Sequence, residues 1–170
     1  MASIGQAIGA PSGSLYHRFQ TRDMLLGRLW LQKAALFQDA FEASLAQPDP
    51  MVAAREAALS FTRTVRADLE GARIMLLHRR EDFLSGAWPR EMASEAERLG
   101  AQVSRVLRDL TRRLFGDTEA SHLRTTTFAV IDIPFAAVRR PVAANKPPAP
   151  EIDDMIVTAM NAILAGARHG

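Results

Sequence analysis

The chain has 170 residues, 48% of them hydrophobic, and no cysteine, so it can bury a core of one or two domains and holds neither disulfides nor thiolate metal sites. Net charge is only +2, yet residues 1–38 set Arg18, Arg22, Arg28 and Lys33 against Asp23 alone, and a basic end on a near-neutral body suits an anionic partner. No apolar run reaches signal-peptide length near the start or spanning length further on, and the lack of cysteine fits a reducing compartment; a soluble, cytoplasmic protein without a membrane partner is expected.

β-branched residues do not alternate with polar ones over any useful length, whereas apolar residues recur at helical steps, so the fold class is all-α, with about nine helices. Residues 2–8 read as a short helix that Gly9 ends. Pro11 opens a second short helix, "SGSLYHRF", with Leu15 and Phe19 on one face. Thr21 suits an N-cap and Asp23 the first turn of a long amphipathic helix over roughly 22–45, with Leu26, Leu29, Trp30, Lys33, Ala34, Phe37 and Phe41 at three- and four-residue steps. "QPDP" at 47–50 ends it.

A helix over about 50–66 follows, with Val52, Ala57, Leu59, Phe61 and Val65, then a shorter apolar one carrying Ile74 to Leu77. After "SGAWP", Pro89 opens the clearest helix, with Met92, Ala96, Leu99, Val103, Val106, Leu110 and Leu114 in one stripe and Gly116 as its stop. Residues 119–140 form another helix, which Pro134 is expected to kink. "RRPVAANKPPAP" reads as a proline-rich loop, and 151–166 as a last helix with a wide apolar face. The implied layout is a small module at 1–38, which takes in the start of the long helix, and a larger helical body at 39–170.

Two short helices about a tight glycine turn make a helix-turn-helix candidate. Ser12, Gly13 and Ser14 are small enough to let a recognition helix approach base edges. Tyr16, His17, Arg18 and Arg22 offer donors, and phosphate contacts set affinity while base contacts set sequence preference. The candidate DNA-binding residues are therefore Ser12, Gly13, Ser14, Tyr16, His17, Arg18 and Arg22.

"IGQAIGAPSGSLYHRFQTRDMLL" resembles the DNA-binding signature of TetR-type transcriptional regulators. The likeness runs through Ile4, Gly5, Ile8, Gly9, Ala10, Gly13, Ser14, Leu15, Tyr16, Phe19, Asp23, Leu25 and Leu26, some 23 residues in all. Pro11 stands where the family has serine, Arg18 where it has histidine and Arg22 where it has lysine; the last two keep a cation for phosphate. The family carries a further helix ahead of this motif, which is missing here, so Ile4, Ile8 and Leu15 are expected to have less to pack against and the N-terminal end to be mobile. The resemblance implies a repressor that binds a palindromic double-stranded DNA operator and is released by a small-molecule effector. It also implies a homodimer, for which the helices at 119–140 and 151–166 have apolar surface to spare. The alternative is a helical small-molecule-binding dimer that has lost DNA binding.

Phe61, Met75, His78, Trp88, Met92, Phe128 and Asp132 are the candidate ligand-pocket residues. The apolar ones serve equally as plain core, and a lone histidine near a helix end is more often structural or exposed. Asp132, within "FAVIDIPF", meets either an arginine across an interface or a pocket. Lys33 reads as a surface residue. His17, His78, His122 and His169 have no metal-ligand spacing, and no nucleophile motif, phosphate loop or paired carboxylates occur, so neither a metal, a cofactor nor an enzyme is expected.

Overall fold

The computed structural model describes residues 22–78 and 88–168, and these residues are helical with no strand among them. In chain order the helices are α1 (Arg22–Ser44), α2 (Pro50–Ala67), α3 (Leu69–Leu77), α4 (Arg90–Phe115), α5 (Ala120–Thr127), a π-helical turn (Phe128–Asp132), α6 (Ile133–Ala143) and α7 (Glu151–Arg168). The expected helices at 2–8 and 12–19, and the Thr21 cap, lie outside the described residues. No described helix is long and apolar enough to cross a membrane.

Local chemistry places most of the ends. Asp49 caps α2 by accepting from the backbone N–H of Met51 (2.7 Å) and Val52 (3.0 Å), and Pro50 sits in the first turn, where a missing N–H costs nothing. Asp68 caps α3 through the N–H of Gly71 at 2.8 Å. At the far end of α4, Gly116 takes φ 86°, the left-handed conformation that closes a helix, and its N–H reaches the Arg112 carbonyl at 2.8 Å.

The core gathers around α2, which packs against α1, α3, α4, α6, α7 and the π turn. Ala53, Ala54, Ala57 and Ala58 are fully buried, and such small side chains let neighbours approach from several sides. Val52, expected inward, is 43% exposed, and in α4 Leu107 joins the buried face. Leu110, Val130, Val138, Val142, Ile156, Met160 and Leu164 complete the core.

Pro134 and Pro141 both fall within one continuous helical run. The run expected as one kinked helix at 119–140 is continuous from Ala120 to Ala143, and the accommodation to Pro134 is the π turn just ahead of it. There the Ile133 N–H bonds the Phe128 carbonyl, a wider turn that makes room for a ring which would crowd the preceding turn. Residues 141–143, beyond the expected helix end and read as proline-rich loop, continue α6 with Pro141 inside it. Val138 and Val142 on that turn are fully buried, so packing outweighs proline's local preference. Asn145 at φ 55° then ends the helix, and the loop is confined to 144–150.

Candidate functional site

Helix α1 is held by polar links to two neighbours. The Arg28 guanidinium meets Glu95 at 2.5 Å and Glu91 at 3.3 Å on α4. Lys33 donates to Asp68 at 2.6 Å, so it is a partly buried tie to α3 rather than the surface residue expected. This bond and the Gly71 N–H hold the Asp68 carboxyl below its ordinary value of 3.8. Near the start of α1, Gly27 is buried against the Met92 side chain and the Trp88 ring.

Between these ties the helices do not close on one another. They leave between them a half-open cavity of about 400 Å3, within the size range of small-molecule sites. One wall is a face of α1: Trp30, Ala34, Phe37, Gln38 and Phe41. Ala96, Leu99, Gly100 and Val103 of α4 form the facing wall. Phe61 of α2, Met75 of α3, Ile131 of the π turn and Phe135 of α6 complete it. Phe61 sits at the centre of an aromatic group, edge-on to Phe37 (6.4 Å between centroids) and to Phe41 (6.3 Å).

No charged side chain lines the cavity among the described residues, and its one polar side chain from the acid, amide or hydroxyl types is Gln38. Gln38 is only 7% exposed, and its Nε2 has no hydrogen-bond partner among the described residues.

Of the seven pocket residues expected from sequence, Phe61 and Met75 line this cavity. Trp88 stands edge-on to Trp30 at 6.4 Å, one ring removed from the wall. Met92 is buried beside Gly27 but does not line it. The exposed His78 takes part through its backbone, its carbonyl accepting from Trp30 Nε1 at 3.3 Å. Phe128 and Asp132 belong elsewhere: both line a separate surface pocket with Leu123, Arg124 and Ile163, and Phe128 is 51% exposed. The π turn explains the difference, because it sends Ile131 to the cavity while Phe128 and Asp132 face outward.

Sequence reasoning missed the α1 wall. Trp30, Ala34, Phe37 and Phe41 stood out as an apolar stripe, but a stripe shows only that a face is covered, not that a space lies beneath it. Gln38 gave no signal, since glutamine is usually exposed.

The DNA-binding candidates Ser12, Gly13, Ser14, Tyr16, His17 and Arg18 lie outside the described residues. Arg22 is the first residue of α1. Among the described residues no three acidic or histidine side chains gather as metal ligands. His122 instead stacks on Phe115 (4.4 Å, 7° between planes), and its Nδ1 lies 2.7 Å from Asp117.

A second apolar surface lies between α6 and α7, where Ile133, Ala137, Pro141, Ile152, Met155 and Ala159 line a groove rimmed by Arg140 and Lys146. Met155 is 68% exposed. No family model, curated protein or solved structure matches the chain.

Proposed function

We propose that the protein is a TetR-type one-component transcriptional regulator, in which a small molecule in the cavity controls binding of the N-terminal motif to a palindromic DNA operator. The observation that carries this reading is the course of α1. It starts at Arg22, directly after the helix-turn-helix-like sequence, and one of its faces forms a wall of the cavity. A ligand that moves α1 therefore moves the segment that leads into the motif.

Such coupling requires the ligand to favour the state that does not bind DNA, whose two motifs are spaced wrongly for the operator. The two motifs come from a homodimer. The outward-facing Phe128 and the α6–α7 groove lie on the helices expected to pair, α5 to α7, and a four-helix contact between copies covers them. Release of the operator by ligand makes the protein a repressor.

The test is DNA binding by the complete coding sequence, including any codons upstream of the present first residue. Binding to its own promoter should weaken steeply with salt. Arg22→Ala and Tyr16→Ala should lower affinity for all sequences alike, whereas changes at Ser14 or His17 should alter sequence preference. Absence of salt-dependent promoter binding refutes the regulator reading and leaves a ligand-binding dimer.

A further inference from the structure

We propose that the cavity takes a neutral, largely apolar small molecule carrying a hydrogen-bond acceptor of the carbonyl class, which the Gln38 amide receives. The inference rests on the regulator reading only in naming this cavity as the effector site.

Three observations define the ligand. First, the lining is apolar and aromatic apart from Gln38, and it holds no charged side chain among the described residues. An ion brought there would lose its hydration without gaining a counter-charge, so the ligand is neutral.

Second, Gln38 is more than nine-tenths buried, and its Nε2 donor has no partner among the described residues. A buried amide donor left unpaired is costly, and native proteins rarely keep one without a use. A trapped water is a poor substitute. It needs two to four polar partners, and Gln38 is the only amide side chain on these walls among the described residues. A ligand carbonyl needs only the one donor, and its apolar body suits the rest of the lining.

Third, Trp30, Phe37, Phe41, Phe61 and Phe135 present rings to the cavity, which favours a compact ring-bearing body over a thin chain.

Gln38 also stands where its bond has leverage. It lies on α1, about 24 Å along the helix from Arg22 at the α-helical rise. A hydrogen bond at that point, with apolar contacts to Trp30, Ala34 and Phe37 on the preceding turns, fixes α1 relative to α4 across the space.

The experiment uses the full chain without DNA, so its result is independent of operator binding. Dicyclohexyl ketone and dicyclohexylmethane differ by a carbonyl in place of a methylene. Their affinities are read from the emission of Trp30, one of two tryptophans in the chain. Both should bind. The ratio of ketone to hydrocarbon affinity should fall about tenfold in Gln38→Leu, the loss expected for a buried hydrogen bond, while the hydrocarbon affinity is kept or improved. The carboxylate dicyclohexylacetate should not bind at neutral pH. Ala96→Phe, which fills the cavity from α4, should abolish binding of both neutral probes with the helical circular dichroism retained.

An unchanged ratio in Gln38→Leu overturns the role of the amide. Tighter binding of the carboxylate overturns neutrality, and failure of both neutral probes overturns the ligand class. Salt-dependent promoter binding, measured separately, continues to test the regulator reading in each case.

Discussion

Gly71 and Gly166 both sit within helices, and replacement by alanine should move stability in opposite directions. In an open helical position the change gains about 0.8–1 kcal/mol, because alanine gives up less backbone freedom on folding. A Cβ at Gly166 meets nothing within 4 Å, so Gly166→Ala should show most of that gain. At Gly71 a Cβ would run into the Asp68 carboxylate, with Asp68 Cγ at 2.7 Å and Lys33 Cδ at 2.8 Å.

The carboxylate cannot move aside without cost. It caps α3 through the Gly71 N–H and holds Lys33 of α1 at 2.6 Å. Loss of a cap costs about 1 kcal/mol, and a partly exposed ion pair adds about 0.2–1 kcal/mol. Propensity gains little in the first helical turn, so Gly71→Ala should destabilise by about 1 kcal/mol. The two variants should then differ by about 2 kcal/mol, or about 4–8 °C in Tm for a chain of this size. Thermal unfolding followed by circular dichroism measures the difference. A Tm that rises equally in both variants would refute the role given to Asp68 as shared cap and tie.

The Arg66 side chain forks onto Asp153 at 2.8 and 3.1 Å and reaches the carbonyls of Pro148 and Ala149, so it anchors the 144–150 loop and the start of α7 to α2. Arg66→Met should cost about 2 kcal/mol after allowance for partial exposure, and adding Asp153→Asn should cost little more, since the two share one interaction; chemical denaturation of the single and double variants checks both. Acid stability follows from two lowered carboxyls. Lys33 and the Gly71 N–H lower Asp68, and at Asp153 burial pushes upward but hydrogen bonds from Arg66 and Thr62 outweigh it. A depressed folded value means stability that is complete above the ordinary 3.8 and lost as pH falls through the folded value, so unfolding should steepen below about pH 4; Lys33→Met should reduce that slope in acid titrations. Met155→Glu places a charge on the exposed α6–α7 groove; on the proposed homodimer reading, sedimentation should find the parent dimeric and this variant monomeric, and a dimer that survives the change would place the contact on another face.

Helix ends were the most legible part of the fold. Pro89 and Gly116 bound α4, as read, because such end signals act within a few residues and depend little on the remainder of the chain. Pro141 and Pro134 were less legible, since their tolerance inside a helical run depends on the burial of Val138 and Val142 and on the π turn. The site was legible only in part. Phe61 and Met75 were identified by residue type, whereas Phe128 opens the π turn, whose wider winding breaks the shared face it would have with Ile131 and Phe135 in a regular helix.

The amino-acid sequence by itself determined an all-helical chain, the bounds of most helices and the apolar face of α1, all consequences of local backbone chemistry and helical periodicity. Tertiary structure alone decided that this face, whose Phe37 and Phe41 join the core, also borders a cavity, and that Gln38 is buried on it with a donor unpaired among the described residues. The physical reason is that periodicity records which side of a helix avoids water. Whether the helices on that side meet or stand apart depends on how bulky residues such as Phe61 and small ones such as Ala96 and Gly100 come together from segments distant in the chain.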